Sequence, residues 1–222
     1  MNTQKEKNPI KVAMSDDHIL LRNALAALIN NSGLCKVIHE TSNGRELIQK
    51  IKDEQPPDVV ILDLNMPEMD GYQTSVYLQE NHPEIRVLML TMYDSELVLI
   101  RLLKAGVKGF MKKDIHPSEL LNAIQSVHEN GFYYSAQTSS KLAGLFRDSD
   151  KNPILSRVLL SETEIEFQKL ACSELTYKEI ASAMHMNPRA IDGIRDTLFT
   201  RLEIKSRVGL AMYAIKQGIV SV

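Results

Sequence analysis

Short apolar segments rich in β-branched residues alternate with amphipathic helical segments through the first 130 residues of the chain. Because each strand is then followed by a helix that can cover the sheet, this alternation favours a doubly wound α/β domain with a parallel sheet. We expect five strands and five helices over residues 1–130. The predicted strands are Ile10–Ser15, Lys36–Glu40, Asp58–Leu62, Arg86–Thr91 and Lys108–Met111.

The C-terminal part of the chain has a different pattern. Residues 157–222 show no strand signal, and we expect an all-α domain of four helices there. Residues 131–156 are predicted to form a linker that contains one short helix and ends in the polar segment Arg147–Pro153. The four helix starts are marked by capping residues, namely Ser161 with Glu164, Thr176 with Glu179, Asn187 before Pro188, and Ser206.

Length and composition restrict the class of protein. The 222 residues suit two domains, and 44% hydrophobic with 24% charged residues is ordinary for a soluble globular chain. We find no apolar run long enough to span a bilayer and no secretion signal in Met1–Pro9, so we expect a cytoplasmic protein without a membrane segment. The two cysteines, Cys35 and Cys172, lack the spacing of a disulfide or zinc site.

Charge is distributed unevenly between the two parts. Residues 1–150 carry 16 basic and 20 acidic side chains, whereas residues 151–222 carry 10 basic and 8 acidic side chains. An excess of positive charge in the second part has the sign expected of a nucleic-acid-binding domain. A difference of this size does not by itself identify the partner.

Chemically reactive side chains stand where the predicted strands end. Asp16 and Asp17 follow the first strand, Asp63 the third, Thr91 ends the fourth, and Lys113 follows the fifth. The carboxyl ends of parallel strands share one edge of the sheet, so we expect these side chains to meet. Three carboxylates repel one another unless a cation joins them, which favours a hard divalent ion such as Mg²⁺. An aspartate beside that ion can attack a phosphoryl group, and Lys113 can supply an ammonium.

Each of these residues also has a simpler interpretation. Asp16 alone can cap a helix, Asp63 alone can belong to the turn before Pro67, and Lys113 alone can be a solvated surface charge. Together, acids, a hydroxyl and a lysine at four strand ends are improbable as coincidence.

The first domain resembles the receiver domain of two-component response regulators, which has a flavodoxin-like sheet, over roughly residues 9–130. The resemblance rests on Ser15-Asp16-Asp17-His18, Leu62-Asp63-Leu64-Asn65-Met66-Pro67, Leu90-Thr91 and Lys108-Gly109-Phe110-Met111-Lys112-Lys113-Asp114.

The resemblance to receiver domains implies a role for each matched residue. Asp63 would accept a phosphoryl group from a sensor histidine kinase. It would bind Mg²⁺ together with Asp17 and the Asn65 carbonyl, and Asp16 would reach the ion through water.

Three further residues acquire switch functions from the same resemblance. Thr91 would hydrogen-bond the phosphoryl oxygen, Lys113 would pair with it, and Phe110 would move when Thr91 moves. Strand alternation places Lys112 and Lys113 on opposite faces, and the spacing from Phe110 selects Lys113.

Residues 160–218 resemble the LuxR-type helix-turn-helix of the NarL/FixJ class of regulators. The recognition helix would run from Asn187 to Arg201, with Ile191, Ile194, Leu198 and Leu202 buried. The matching segments are Leu160-Ser161-Glu162-Thr163-Glu164-Ile165-Glu166, Lys178-Glu179-Ile180-Ala181 and Leu202-Glu203-Ile204-Lys205-Ser206-Arg207.

The exposed face of the recognition helix departs from the commoner pattern. Asp192, Ile194 and Asp196 stand where many relatives have lysine, histidine and another polar group. Two interpretations remain open: either the aspartates pair with Arg189 or Arg195 on the helix surface, or an aspartate accepts from a cytosine amino group while Arg195 reads guanine or phosphate. The predicted contacts to double-stranded DNA are Lys178, Arg189, Asp192, Arg195, Lys205 and Arg207.

The sequence therefore predicts a transcription regulator that is switched by phosphorylation. The alternative is an adaptor whose receiver contacts proteins and whose helix-turn-helix binds DNA weakly. A phosphatase is disfavoured because Asn65 replaces the second acid of an Asp-x-Asp signature. We also expect a homodimer after phosphorylation, from an apolar set on the first and last receiver helices comprising Ile19, Leu20, Ala26, Ala27, Leu121, Ile124 and Val127.

Overall fold

A computed structural model describes residues 8–93, 95–114, 116–147 and 160–220 of the chain. It divides into two compact units, the first formed by Met1–Asp94 with Leu102–Ser140 and the second by Ser95–Arg101 with Lys141–Val222. Most of the predicted linker segment Arg147–Pro153, from residue 148 onward, lies outside the described residues. Among the described helices, none has the length and apolar character needed to cross a membrane.

The first unit contains a parallel sheet of six strands in the order β2-β1-β3-β4-β5-β6. The strands are β1 (Ile10–Ser15), β2 (Cys35–Thr41), β3 (Val59–Asp63), β4 (Arg86–Thr91), β5 (Gly109–Lys112) and β6 (Tyr133–Tyr134). The doubly wound α/β class is confirmed, and the five predicted strands are all present with ends shifted by no more than one residue.

The prediction of five strands is wrong by one. Tyr133 and Tyr134 pair with Gly109 and Phe110 and so add β6 at the edge of the sheet, inside the segment that we assigned to the linker. Two residues are too few to show the alternation of period two by which a strand is recognised in a sequence. Their β-forming aromatic side chains were the available signal.

Six helices lie between these strands or directly after them along the described chain, and residues 96–101 and 141–147 of them belong to the second unit. They are α1 (Ile19–Asn31), α2 (Gly44–Asp53), α3 (Gly71–Asn81), α4 (Glu96–Lys104), α5 (Pro117–Asn130) and α6 (Ala136–Arg147). The short helix expected before Arg147 is thus confirmed as α6.

The complete burial of β3 agrees with its position in the interior of the sheet, between β1 and β4. All five of its residues, from Val59 to Asp63, are buried, as a strand covered by helices on both faces requires. One apolar cluster packs strands β1, β3 and β4 against helices α1 and α5. Within this cluster, Ile29, Ile124 and Val127 are completely buried. The core therefore fixes the end of β3, and with it the position of Asp63.

This packing corrects part of the predicted dimer surface. Ala26, Ile124 and Val127 belong to the core cluster and are no more than 4% exposed, so they do not form an outer surface. Leu20, in contrast, is 86% exposed on α1. The seven apolar residues were grouped by type, whereas helical periodicity turns some of them towards the sheet.

The second unit contains the four predicted helices of residues 157–222. They are α7 (Glu162–Ala171), α8 (Tyr177–Ala183), α9 (Pro188–Arg201) and α10 (Arg207–Lys216). Capping fixes their starts as expected: Ser161 and Thr176 each form a capping box, and the Asn187 and Ser206 side chains accept from the first turns of α9 and α10.

The predicted recognition helix, α9, is held by its apolar face. Ile191 and Leu198 are completely buried, and Ile194 and Leu202 are half-buried against the same cluster. Phe167 on α7 is also fully buried there. The expected burial of these four apolar residues is therefore confirmed for two of them and partial for the other two, and the opposite face is left to solvent.

Gly71 at the start of α3 lies in direct backbone contact with the end of β3. Its N–H donates to the Leu64 carbonyl at 2.9 Å, and a Cβ atom at this position would lie 2.2 Å from the Asp63 carbonyl oxygen. Only a glycine permits this approach. The position of Asp63 therefore depends on the absence of a side chain at Gly71, eight residues later.

We expect Gly71→Ala to destabilise the first unit by about 1–3 kcal/mol, because the new methyl group overlaps backbone that has no room to move. The free energy of unfolding from denaturant titrations measures the effect. Gly193→Ala is the matched control: Gly193 lies inside α9 with open space at its Cβ position, so this change should stabilise its helix by about 0.5–1 kcal/mol. Equal effects of the two substitutions would contradict the steric explanation.

Candidate functional site

The carboxyl edge of the sheet brings the predicted acidic residues together. Asp16 follows β1 and Asp63 ends β3, and these two strands are neighbours in the sheet. Asp16 is 3% and Asp63 is 6% exposed, so both carboxylates are removed from water. Such burial is costly for a charged group unless a cation pairs with it.

Lys113 is the partner of both buried carboxylates. Its Nζ atom lies 2.9 Å from Asp16 Oδ2 and 3.0 Å from Asp63 Oδ2, and its own side chain is only 7% exposed. The backbone N–H of Lys113 donates to the Thr91 carbonyl at 3.1 Å, which fixes the start of this long side chain at the end of β4. The structure thus places Lys113, rather than its neighbour Lys112, between the aspartates.

These contacts shift the pKa values of both partners. Burial raises the pKa of Asp63 from 3.8 to about 6, although the charge and hydrogen bond of Lys113 oppose the shift. For Lys113, burial lowers the pKa, but the hydrogen bonds and charges of Asp16 and Asp63 outweigh it and the pKa is raised overall. Lys113 therefore stays charged at neutral pH, and Asp63 is an aspartate that protonates easily.

The acidic residues have the donor set and spacing of a cation site. One carboxylate oxygen each from Asp16, Asp17 and Asp63, with a ring nitrogen of His18, lies within 4.8 Å of the others. Hard carboxylate oxygens at this spacing fit Mg²⁺. Asn65, whose carbonyl we expect as a further ligand, stands two residues after Asp63 and is half-buried. The individual ligand roles remain predictions.

His18 is a member of this cluster that the sequence reasoning left out. Its Nδ1 atom lies 2.9 Å from Asp17 Oδ1 and 3.1 Å from Asp16 Oδ1, and its backbone N–H donates to Asp16 Oδ1 at 2.9 Å. The available signal was its place in the run Asp16-Asp17-His18. His18 is also the N-cap of α1, so the helix start fixes the loop that carries both acids.

A second overlooked residue, Arg22, fixes the same loop from inside the fold. Its Nη1 atom donates to the carbonyl oxygens of Asp16 and Thr41 and to Ser42 Oγ. The loops after β1 and β2 are thereby joined behind the acidic cluster.

The two predicted switch residues, Thr91 and Phe110, are both buried. Thr91 Oγ1 accepts from the Tyr93 N–H at 3.1 Å, which leaves the hydroxyl hydrogen free to donate elsewhere. Phe110 is 4% exposed and its ring stacks on Tyr134 of β6 with 5.7 Å between centroids. The aromatic side chain next to Phe110 therefore comes from the strand that the sequence did not predict.

On α9, the exposed aspartates pair with an arginine of the same helix. Arg195 Nη1 donates to Asp192 Oδ1 at 2.8 Å, and Arg195 Nε donates to Asp196 Oδ1 at 2.9 Å. The pairing expected by the first of the two interpretations is present, and the base contacts of the second remain a prediction. The same arginine lies over the Tyr177 ring, 5.1 Å from its centroid.

The other predicted DNA contacts divide into two groups. Lys178, Arg189 and Lys205 are exposed. Arg207 instead donates to the Ala171 and Ser173 carbonyls at 2.9 and 2.7 Å, so its guanidinium fastens α10 to the end of α7.

A family model described as the response regulator receiver domain matches residues 12–125, slightly more than half of the chain. The chain belongs to the response regulators. The buried carboxylates and the lysine that joins them lie within the matched segment.

Two curated relatives are similar in sequence to this response regulator along both of its units. The oxygen regulatory protein NreC of Staphylococcus epidermidis is 28% identical over 216 residues, which cover 95% of this chain and 99% of that protein. NreC of Staphylococcus haemolyticus is 28% identical over 215 residues with the same coverage. The resemblance of the sequence to the NarL/FixJ class of two-component regulators is confirmed.

Solved structures agree with the fold of this response regulator. RcsB from Salmonella enterica serovar Typhimurium, bound to promoter rprA in the presence of the phosphomimetic BeF₃⁻, is 21% identical with a TM-score of 0.67 and covers 93% of this chain and 98% of that one. The receiver domain of the putative response regulator NarL from Mycobacterium tuberculosis is 29% identical with a TM-score of 0.53 and covers 55% of this chain and 98% of that one.

In the absence of divalent cations, we expect Asp63→Asn to stabilise this response regulator more at pH 7 than at pH 5. The folded pKa of about 6 exceeds the ordinary 3.8, so ionised Asp63 opposes folding at neutral pH, and this effect decreases as the pH falls below about 6 and is lost near 3.8. Linkage gives a difference of about 1 kcal/mol between the two pH values. Denaturant unfolding at both pH values in a chelating buffer measures it.

The matched control for this measurement is Asp53→Asn on α2, an exposed aspartate whose replacement should have the same small effect at both pH values. An Asp63→Asn effect that does not change with pH would mean that burial does not raise the pKa of Asp63 as stated.

Proposed function

We propose that the chain is a phosphorylation-switched transcription regulator, in which Asp63 accepts a phosphoryl group and the helix-turn-helix of the second unit binds promoter DNA. The observation that carries the proposal is the pairing of buried Lys113 with buried Asp63 and Asp16 at the carboxyl edge of the sheet. A lysine in this position serves no surface function, and it neutralises charge where a phosphoryl group would arrive.

The proposed reaction is a transfer between two side chains. A carboxylate oxygen of Asp63 attacks the phosphorus of a phosphohistidine on a sensor kinase, a P–O bond forms, and the P–N bond to the imidazole breaks. When bound at the acidic cluster, Mg²⁺ would supply positive charge to the phosphoryl oxygens. Asp17, Asp63 and the Asn65 carbonyl would hold the ion directly, and Asp16 through water.

The neighbouring side chains have the chemistry to stabilise the product. Lys113 is charged and already within 3.0 Å of Asp63 Oδ2, so it can pair with a phosphoryl oxygen after a small movement. The Thr91 hydroxyl oxygen accepts from the Tyr93 N–H, so the hydroxyl hydrogen can be donated to a phosphoryl oxygen. Movement of Thr91 towards the phosphoryl group would vacate space for Phe110, and this change is the proposed switch.

Dimerisation is the proposed consequence of the switch for the first unit. The surface available for it is the outer face of α1, where Ile19, Leu20 and Ala27 are exposed. This face has no ionic side chain, because the one charged residue of α1, Arg22, points inwards.

In the second unit, the proposed DNA contacts are of two kinds. Lys178, Lys205 and Arg189 are exposed cations at the starts of α8, α10 and α9, where they can meet phosphates. Asp192 and Arg195 stand on the exposed face of α9 and would meet base edges. Arg207 would contribute to DNA binding indirectly, because its guanidinium fastens α10 to the end of α7.

A second candidate function is favoured by the acidic residues of α9. Asp192 and Asp196 are 52% and 65% exposed, and acids beside phosphates weaken the electrostatic part of DNA affinity. An adaptor that acts through protein contacts of its receiver would tolerate such a helix. Retention of the full-length protein on duplex DNA that decreases with salt would exclude the adaptor.

We expect acetyl phosphate to add one phosphoryl group to the wild type only in the presence of Mg²⁺, and to add none to Asp63→Asn, which keeps the size of the side chain but lacks the nucleophilic oxygen. Intact-mass spectrometry gives the result directly. Asp53→Asn is the control and should be phosphorylated like the wild type. A phosphoryl group on Asp63→Asn would show that another residue is the acceptor.

The same samples test the dimer. Sedimentation of the wild type should change from monomer to dimer when a beryllium fluoride mimic and Mg²⁺ are added, whereas Asp63→Asn should remain monomeric. A wild type that stays monomeric with the mimic bound would remove dimerisation from the proposal.

We expect Lys178→Ala and Lys205→Ala each to weaken binding to all duplexes alike and to reduce the slope of log affinity against log salt concentration by about one unit, because each removes one phosphate contact. Binding titrations of the full-length protein at several salt concentrations measure the slope. Lys216→Ala removes the same charge at the far end of α10 and should leave the slope unchanged. Equal changes of the slope in all three variants would mean that DNA affinity depends on net charge and not on the positions of these lysines.

A further inference from the structure

We propose that Arg195 reads a guanine, and that Tyr177, from outside the recognition helix, positions Arg195 for this contact together with Asp192 and Asp196. The inference rests on the proposed DNA binding of the second unit and deepens it by assigning guanine to Arg195 and a positioning role to Tyr177. Tyr177 stands at the start of α8, the helix that precedes the recognition helix α9.

The first observation is that Arg195 is covered although it projects from the exposed side of α9. Its side chain is 26% exposed, whereas Asp192 and Asp196 are 52% and 65% exposed. Ion pairs at a helix surface contribute little by themselves, and a long arginine in solvent loses entropy when it is held. The additional restraint comes from the Tyr177 ring, whose centroid is 5.1 Å from the Arg195 guanidinium carbon.

The second observation is that Tyr177 is itself fixed from the core of the domain. Its ring stacks on Phe167 with 6.1 Å between centroids, and Phe167 is fully buried. The Arg207 guanidinium also lies over this ring, at 5.4 Å from the centroid. Because Arg207 donates to the Ala171 and Ser173 carbonyls, the position of the ring is set by α7, α8 and α10 together.

The hydrogen bonds of Arg195 determine what it can still bind. Its guanidinium has five N–H donors. Nε donates to Asp196 and one N–H of Nη1 donates to Asp192, while Nη2 lies 2.9 Å from Asp196 Oδ1, so at least one N–H on each terminal nitrogen remains available. Two donors on adjacent nitrogens match the O6 and N7 acceptors of guanine. Holding the side chain in place beforehand lowers the entropy lost on binding.

The aspartates restrict this arginine to the intended ligand. Their charges oppose a phosphate at the same place, and a free carboxylate oxygen accepts only from an amino group such as that of cytosine or adenine. Arg195 is thus shielded from non-specific use as a phosphate contact. The exposed lysines attract the phosphates of the DNA. The base is selected by the cluster of Tyr177, Asp192, Arg195 and Asp196.

Selection from a randomised duplex library tests the assignment, with the full-length protein loaded with beryllium fluoride and Mg²⁺. We expect the wild type to enrich a motif with a guanine that both Arg195→Lys and Tyr177→Leu no longer select. Lysine keeps the charge but loses the two-pronged donor, and leucine keeps apolar bulk but loses the ring. On the enriched duplex, the affinity ratio between guanine and the other bases should decrease by about tenfold in both variants.

Tyr177→Phe and Lys178→Ala are the controls. Phenylalanine keeps the ring face and should preserve the base preference, whereas Lys178→Ala should weaken all duplexes without changing the preferred base. A purely structural role of Tyr177 would lower the affinity for every duplex and the folded fraction, measured by circular dichroism, without changing the ratio between bases.

Three outcomes overturn parts of the proposal in distinguishable ways. An unchanged ratio in folded Tyr177→Leu removes the positioning role of Tyr177. An unchanged ratio in Arg195→Lys, which keeps the charge and much of the length of the side chain, removes the base-reading role altogether. A wild type that is not retained on any duplex contradicts DNA binding itself, and this result is visible before any variant is compared.

Discussion

The contact of one ammonium group with two buried carboxylates is the interaction on which the first unit depends. Asp16 and Asp63 stand at the ends of adjacent strands, and without Lys113 their charges would repel each other away from water. Lys113 follows β5, and β4 lies between β5 and β3, so its side chain must pass over the end of β4 to reach Asp63. The end of β4 is occupied by the buried Thr91, whose carbonyl accepts from the Lys113 N–H.

This arrangement also leaves Asp63 with the properties that the proposed reaction needs. The lysine compensates the charge of Asp63 only in part, since burial still raises the pKa of that carboxyl to about 6. A group that is poorly solvated and incompletely paired is held at a cost to stability, as is usual for side chains that must react. The backbone behind it is fixed by the contact of Gly71 with the end of β3 and by the hydrogen bonds of Arg22.

Much of this organisation could be predicted from the sequence because its signals are local. Capping residues gave the starts of α7 to α10, and strand-end acids gave the edge at which Asp16, Asp17 and Asp63 meet. The contributions of His18, Arg22 and Tyr177 were not predicted. Arg22 and Tyr177 act through contacts with residues from other loops or helices, which residue type alone does not disclose, and His18 was recognisable only from its place beside Asp16 and Asp17.

The strand β6 was missed for a related reason. Its two residues owe their conformation to pairing with β5, a neighbour more than twenty positions earlier, and a pairing partner at that distance leaves no periodicity in the short strand itself. The same limitation applied to the dimer surface. Residue type identified Ala26 and Val127 as apolar, but only the packed fold shows that both belong to the core.

The stacking of Phe110 on Tyr134 has a consequence for how far a signal must travel. Tyr134 precedes α6 by a single residue, Ser135, and the chain then leaves the sheet for good. A displaced Phe110 ring would take away the surface on which Tyr134 rests, at the edge strand held by only two paired residues. In the proposed switch, the phosphorylated Asp63 and the departure of the chain from the sheet would therefore be connected through the contact of Phe110 with Tyr134, without a relay through the distant core.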